Sequence, residues 1–202
     1  MTITDSIADD FYNNDKKLGM ELGNALNEEI LALVESGCKH IQVDEPVFAR
    51  KSQMALDYGI ENIERCFDGV PDHVTRAVHI CCGYPNALDS ENYLKAPSSA
   101  YFELAEAMDE SSVNAVSIED AHRPNDLKLL ELFKKTSVII GLIDVAKSRL
   151  EESSEIKLRI NNCLEHIDHH RLIAAPDCGL GLLNRKLANA KLKNLCNAAH
   201  SV

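Results

Sequence analysis

Strand-like and helix-like segments alternate through the whole of this 202-residue sequence, and this alternation constrains the fold more than any other feature. Alternating or continuously apolar runs predict five β-strands, at residues 40–45, 76–82, 114–120, 137–145 and 171–175. Apolar residues at helical spacing predict helices around them, at 15–36, 54–67, 100–108, 124–135, 154–167 and 184–199. Repeated β-α units fold into a parallel sheet, so a doubly wound sheet and part of a (β/α)8 barrel both fit.

Polar residues that can carry chemistry gather where the predicted strands end. In both parallel architectures the carboxyl ends of the strands carry the active site. No strand is followed by Gly-x-Gly-x-x-Gly, and the isolated Gly179-Leu-Gly181 lacks the rest of that motif, which argues against dinucleotide binding. The strand-end residues are Asp44, Glu45, His79, Cys81, Cys82, Glu119, Asp120, Asp144, Asp177 and Cys178.

Composition excludes several classes of protein. Lys and Arg number 21 against 32 Asp and Glu, a formal charge of -11, whereas a nucleic-acid binder needs a basic face. No apolar run approaches the roughly 18 to 20 residues that span a bilayer. The polar, acidic start of the sequence has no signal-peptide pattern, so we expect a cytoplasmic protein. The length suits a single domain over 1–202.

The seven cysteines are an odd number in a chain of ordinary size, which argues against a disulfide framework. Buried packing, metal binding and nucleophilic chemistry remain as their roles. Four of them lie on or beside amphipathic helical patterns and are expected to fill the core: Cys38, Cys66, Cys163 and Cys196.

Four of the strand-end residues form a plausible metal-binding set. Side chains two apart on a strand share a face, so His79 and Cys81 can reach one ion. A closed barrel brings Glu119 and Cys178 to the same mouth. One imidazole, two thiolates and one carboxylate suit Zn²⁺ rather than Mg²⁺ or Ca²⁺. The alternative is a chance His-x-Cys pair without a metal.

Four ordered motifs resemble the C-terminal catalytic domain of cobalamin-independent methionine synthase. The resemblance covers essentially the whole chain and implies a (β/α)8 barrel that binds one zinc ion. It also implies transfer of a methyl group from methyl-tetrahydrofolate to homocysteine, which makes methionine. The motifs are Gln42-Val-Asp-Glu-Pro, Val78-His-Ile-Cys, Val116-Ser-Ile-Glu-Asp and Ala175-Pro-Asp-Cys-Gly-Leu.

The resemblance also implies a role for each matching residue. Asp44 matches the carboxylate that holds the amino group of homocysteine, and Asp144 matches a catalytic aspartate after the most apolar strand. Zinc would make the homocysteine thiol a reactive thiolate. Glu119 would be the labile ligand that yields to substrate. The implied zinc ligands are His79, Cys81, Glu119 and Cys178.

The sequence departs from the family pattern at two positions. Ala146 stands where the family has a histidine that protonates the leaving folate, and Lys147 or His122 could substitute for it. Cys82 directly follows Cys81 where the family has no cysteine. Strand alternation points it away from the metal, so we expect it in the core.

These departures leave two other functions open. The first is a zinc-dependent alkyltransferase that acts on another thiol, of the coenzyme M type, or takes its methyl group from a methyl-corrinoid. The second is a non-catalytic zinc-binding fragment, because a full barrel needs about 250 residues. Zinc content measured together with thiol alkylation would separate the two.

The five strands match the fourth to the eighth of the family's barrel, so the first three strands are expected to be missing. The strands at 40–45 and 171–175 would then be open sheet edges, which invite pairing with another chain. We therefore expect poor solubility, self-association or a need for a separate N-terminal half-barrel. The matched strands centre on Ile41, Val78, Val116, Ile140 and Ile173.

Overall fold

The computed structural model describes residues 1–90 and 93–202, and in them five strands form one parallel sheet. The strands lie side by side in the order in which they occur along the chain. A doubly wound sheet reverses its order at a switch point, so the sequential order corresponds to part of a (β/α)8 barrel, as predicted. The strands are β1 (His40–Asp44), β2 (Thr75–Ile80), β3 (Ala115–Ile118), β4 (Ser137–Gly141) and β5 (Leu172–Ala175).

Helical segments connect the strands. Between β1 and β2 the helical path passes through one π-helical turn, Ala55–Gly59, and between β3 and β4 it is a single 3₁₀ segment, Leu127–Leu132. None of the helices in the described ranges is long and apolar enough to cross a membrane. The α-helices are α1 (Asp15–Glu35), α2 (Pro46–Arg50), α3 (Ser52–Met54), α4 (Ile60–Cys66), α5 (Ala100–Glu110), α6 (Ser153–Leu164) and α7 (Arg185–Ala199).

The hydrophobic core lies between the helices and one face of the sheet. Strand pairing aligns one apolar residue from each strand in a row across this face, and all five belong to the core or pack against it. Branched side chains suit such a surface, because they pack well on a pleated sheet. The row is Val43, Val78, Val116, Val138 and Leu172.

The next row across the sheet points to the opposite face and is much more polar. Asp44 and His79 are register partners, and His79 pairs in turn with Ser117. The row continues through Ile139 to Ile173, which is 44% exposed. This face would line the inside of a closed barrel, and it carries the candidate site.

Within the described residues the sheet is open, since β1 and β5 each pair with one neighbour. These are the two edges that the sequence predicted. Cys66, Cys82 and Cys163 are buried as expected, whereas the prediction for Cys196 is wrong because this side chain is exposed on α7.

The helix predicted for residues 124–135 is wrong in extent. The segment forms a 3₁₀ helix over Leu127–Leu132, which begins where the Asp126 side chain accepts the amide hydrogen of Lys128. Just before it, the Asn125 amide donates to the Glu119 carbonyl and to Asp120 Oδ1. Side-chain bonds of this kind compete with helix formation, so the chain stays tied to the end of β3 instead of entering a helix at once.

Candidate metal centre

The structure brings together the four residues that the sequence singled out as metal ligands. Their ligand atoms all lie within 4.8 Å of one another. His79 stands at the end of β2 and Cys81 just beyond it, while Glu119 follows β3 and Cys178 follows β5. Cys178 is half-buried and the other three are buried. Parallel pairing makes this possible, because it puts the carboxyl ends of all five strands at one edge.

Two of these side chains have a buried atom without a hydrogen-bond partner among the described residues. His79 Nδ1 lies 2.9 Å from the Ser117 hydroxyl oxygen, whereas its Nε2 has no hydrogen-bond partner in the described part of the chain. Glu119 Oε2 is also buried without a hydrogen-bond partner in that part of the chain. Buried polar atoms are rarely left without a partner, and a histidine ligand commonly uses its second nitrogen in a supporting hydrogen bond. The donor set therefore fits a Zn²⁺ ion.

The two thiols have opposite acidities. The pKa of Cys178 is lowered to about 5, mainly by its interaction with Cys81 and also by contact with His79, which together outweigh the effect of burial. The same interaction with Cys178, together with burial, raises the pKa of Cys81 well above its usual range. Cysteine binds a metal as thiolate, so an ion held here would need both thiols deprotonated, Cys81 included.

The imidazole and the carboxylate are tuned by the same surroundings. Burial lowers the pKa of His79, but the neighbouring Cys178, Asp44 and Glu119 outweigh it, so the net shift is upward. Burial raises the pKa of Glu119. A cluster of acidic groups in a poorly solvated place disfavours its own negative charge, and a bound cation would relieve that repulsion.

His122, one of the two possible substitutes for the missing histidine, lies beside the metal ligands. Its Nδ1 is 2.8 Å from Asp177 Oδ2 and 3.4 Å from Glu119 Oε2. Its side chain is 6% exposed, and Nε2 has no partner among residues 1–90 and 93–202. Lys147, the other possible substitute, lies half-buried in the turn after β4.

Asp144 follows β4 and is not part of the four-residue cluster. Its Oδ1 accepts the amide hydrogen of Ala146. Its own backbone N–H and C=O groups bond to the two members of a buried ion pair. Glu151 Oε1 accepts the Asp144 amide hydrogen, while Lys191 of α7 donates to the Asp144 carbonyl oxygen at 2.9 Å. Lys191 and Glu151 are themselves 2.9 Å apart, which fixes the path of the chain at this strand end.

A cavity of about 400 Å³ opens next to the metal ligands. Asp44 lines it, and accepts a hydrogen bond from the Gln42 side chain. Arg50, at the end of α2, lines it too and makes no ion pair or hydrogen bond within the described residues. The cavity thus offers one anionic and one cationic side chain near the thiols. The lining residues are Asp44, Pro46, Arg50, His79, Cys81, Gly83, Tyr84 and Cys178.

The segment that follows β2, from Gly83 to Asp89, contacts the loops at other strand ends of the site. Gly83 has φ +154°, and a Cβ atom there would lie 2.3 Å from the Leu94 carbonyl oxygen, so only glycine fits. Further along, the Tyr84 hydroxyl donates to the Gly179 carbonyl after β5, and the Asp89 amide donates to the Ala146 carbonyl after β4. These contacts link the segment to two other strand ends of the site.

Three residues of the site were not assigned a role by sequence reasoning: Ser117, Asp177 and Arg50. A signal exists for Ser117, because it precedes Glu119 by two positions and so shares its face of β3. Asp177 stands among the strand-end residues but its partners depend on how separate loops meet, and Arg50 carries no signal in the sequence.

Known proteins resemble this chain over its whole length. A family model described as "Cobalamin-independent synthase, Catalytic domain" matches residues 2–201. A methionine synthase of Thermococcus kodakarensis is 30% identical over 202 residues, all of this chain and 54% of that protein. A methionine synthase of Saccharolobus islandicus is 32% identical over 198 residues, which are 96% of this chain and 53% of that protein.

Solved structures show the same likeness. A B12-independent methionine synthase from Shewanella sp. W3-18-1, in complex with selenomethionine, superposes on the whole chain with a TM-score of 0.89 at 30% identity, covering 59% of that structure. A Listeria monocytogenes protein described as a putative vitamin-B12 independent methionine synthase matches 94% of this chain and 56% of its own at TM-score 0.67 and 18% identity, which supports the fold. The chain spans about half the length of the curated relatives it matches. With a family model that covers residues 2–201, the chain belongs to the cobalamin-independent synthase catalytic-domain family.

Proposed function

We propose that this chain binds one zinc ion through His79, Cys81, Glu119 and Cys178 and serves methyl transfer from methyl-tetrahydrofolate to homocysteine. The observation that carries the proposal is the convergence of these four ligand types within 4.8 Å at the strand ends of a chain of this family. When bound, Zn²⁺ would lower the pKa of a substrate thiol and supply it as a thiolate at neutral pH.

The cavity beside the ligands supports an amino-acid thiol as the substrate. Asp44 would form an ion pair with the substrate's ammonium group, and the Arg50 guanidinium, which has no partner among the described residues, would bind its carboxylate. A thiol that carries both groups would then lie in the cavity that His79, Cys81 and Cys178 line. The Shewanella relative was solved with selenomethionine, the selenium counterpart of the proposed product.

The methyl donor is the part of the proposal that the site supports least directly. Nitrogen leaves methyl-tetrahydrofolate as a basic atom and needs a proton, and Asp144 is the residue proposed to serve this end of the reaction. Ala146 is buried and offers no proton, and both its backbone N–H and its C=O are already used. If neither His122 nor Lys147 supplies this proton, the second candidate is a methyl-corrinoid donor, whose cobalt leaving group needs none. A coenzyme M-type thiol as acceptor is tested alongside it.

The two open edges of the sheet, β1 and β5, are proposed to pair with another segment or chain. An N-terminal half-barrel would pair with the open edges of β1 and β5 and complete the inner wall of the site. Self-association of this chain is the alternative way of covering the same edges.

The decisive experiment combines metal analysis with product formation. Purified chain, alone and with a supplied N-terminal half-barrel of the family, would be assayed for zinc and for labelled methionine from homocysteine. Parallel reactions would offer methyl-tetrahydrofolate or methylcobalamin as donor, and homocysteine or coenzyme M as acceptor. Methionine formed from the folate, and lost in Cys178→Ala, is the expected result. Zinc without turnover under any condition would instead identify a non-catalytic zinc-binding fragment.

A further inference from the structure

The carboxylate of Asp177 ties together the strand ends that carry Glu119 and Cys178. Its Oδ1 accepts the amide hydrogens of Asp120 and Ala121, each at 2.8 Å. Its Oδ2 accepts the amide hydrogen of His122 at 2.9 Å and faces the His122 Nδ1 at 2.8 Å. Three consecutive backbone N–H groups and one imidazole thus converge on one side chain that is 1% exposed.

These hydrogen bonds from residues 120–122 to Asp177, here called the clamp, pass over an intervening strand. β4 lies between β3 and β5 in the sheet, and at Gly141 the strand leaves space for the carboxylate. A Cβ atom at Gly141 would lie 2.1 Å from Asp177 Oδ1 and 2.6 Å from the Asp177 Cα atom. Any side chain there would therefore displace Asp177, so the absence of a side chain at position 141 is a condition for the clamp.

The clamp also decides what His122 can bind. The His122 Nδ1 is 2.8 Å from Asp177 Oδ2 but 3.4 Å from Glu119 Oε2, so its N–H is directed to Asp177. Glu119 Oε2 is left without a hydrogen bond among the described residues. Without the Asp177 acceptor, the same N–H would turn to Glu119 and occupy the oxygen that a metal needs.

We propose that Asp177 is a positioning residue for the metal centre: it holds the loop behind Glu119 at a fixed distance from Cys178 and keeps His122 from capping Glu119. This role rests on the proposed metal site and adds a residue to it. Supporting contacts of this kind typically contribute 10- to 100-fold to metal affinity.

The test uses two variants that reach the clamp from different strands, each with a matched control. In Asp177→Asn an NH₂ group takes the place of a carboxylate oxygen, so the backbone N–H and the imidazole of His122 lose an acceptor. In Gly141→Ala the added methyl group displaces the carboxylate. Asp109→Asn is the control for the first, because Asp109 Oδ1 also accepts two backbone amide hydrogens, from Lys135 and Thr136, but does so before β4. Gly179→Ala is the control for the second, since it adjoins Cys178 but a Cβ atom there would meet nothing within 4 Å.

The readouts are the dissociation constant for Zn²⁺, the visible absorption spectrum of the Co²⁺-loaded chain, and the melting temperature. Asp177→Asn and Gly141→Ala are expected to weaken zinc binding about 10- to 100-fold, with cobalt spectra that move toward that of Glu119→Gln. Asp109→Asn should lower the melting temperature and leave the spectrum unchanged, and Gly179→Ala should alter neither.

The outcomes separate the clamp from the metal site itself. If the unsubstituted chain bound neither Zn²⁺ nor Co²⁺, the proposed metal site and the role of Asp177 would both be overturned. If it bound them and both variants retained its affinity and its spectrum, the role of Asp177 alone would be overturned. Should Asp177→Asn not fold, Gly141→Ala still decides the question.

Discussion

His79 Nδ1 and the Ser117 Oγ atom lie 2.9 Å apart, at paired positions of β2 and β3. The contact fixes the orientation of the imidazole through Nδ1. The other ring nitrogen, Nε2, has no hydrogen-bond partner in the described residues. The neighbouring strand thus fixes the orientation of His79 that its proposed role as a metal ligand requires.

Removal of a single ligand should release the metal. We expect His79→Ala and Cys178→Ala to weaken zinc binding by more than about 100-fold, the upper range for loss of a merely supporting contact. Cys196→Ala is the matched cysteine control, since Cys196 is exposed on α7. Zinc per chain, measured by elemental analysis after dialysis against a weak chelator, checks this. Equal zinc retention in Cys178→Ala and in the parent chain would refute the assignment.

Zinc affinity should fall as the pH is lowered. The Cys81 thiol, whose pKa is raised by Cys178 and by burial, must lose a proton to bind. The pKa of Cys178 is about 5, so protons compete with zinc for this sulfur only in more acidic solution. Each proton released on binding changes the affinity about tenfold per pH unit. Competition titrations from pH 8 to 5, with circular dichroism to confirm folding, measure the slope; a flat profile would contradict thiolate ligation.

Asp44 and Arg50 should control substrate affinity without controlling the metal. Asp44→Asn and Arg50→Gln each remove one charge-assisted contact, worth roughly 1.5–3 kcal/mol or about ten- to a hundredfold in affinity for homocysteine. Zinc content should stay at the parent level in both. Calorimetric titration of the zinc-loaded chain with homocysteine and with a thiol that lacks the amino group separates the two contacts. Unchanged affinity in Asp44→Asn would remove this residue from the site.

Lys191 should be required for stability. Its side chain is fully buried against Glu151, so Lys191→Met leaves a buried carboxylate without its counter-ion. Breaking a buried pair from one side costs about 3–5 kcal/mol. Lys193→Met, at an exposed position of the same helix, is the control. Urea unfolding measures both; a loss no larger in Lys191→Met than in the control would show that the pair contributes little.

The isolated chain should associate. β1 and β5 are open edges and Ile173 on the inner face is 44% exposed, so backbone and apolar groups are available to another chain. We expect oligomers on size-exclusion chromatography, and weak or absent turnover even with zinc bound. A supplied half-barrel should convert the oligomers into a defined complex. A monodisperse monomer that melts cooperatively and turns over at an ordinary enzymatic rate would contradict this.

The strands and the metal-ligand cluster could be predicted because each depends on local pattern. Val78 and Val116 alternate with His79 and Ser117, and that period alone assigns one side of the sheet to the core and the other to the site. Repeated β-α units predict a parallel sheet and leave its strand order open, whereas the resemblance to the family implies the sequential order of a barrel, which the structure shows. His79, Cys81, Glu119 and Cys178 stand at equivalent places in this pattern, which is why the sequence alone could group them.

The features that the sequence could not provide depend on contacts between distant loops. Asp177 binds backbone N–H groups 55 to 57 residues away, and an N–H group leaves no trace in the identity of its residue. The 3₁₀ segment after β3 was misread as a longer helix because its apolar spacing is helical, whereas the side chains of Asn125 and Asp126 shorten it.

The ligand cluster draws on β2, β3 and β5, which are far apart along the chain, so an ion held there would join distant parts of it like a cross-link. Such an ion binds the folded chain and has no comparable site in the unfolded one, so it stabilises the fold by mass action, by about 4 kcal/mol when free zinc exceeds its dissociation constant a thousandfold. The lifetime of the protein in the cell would then follow the zinc supply, since metal-free chains would unfold more often and be degraded sooner.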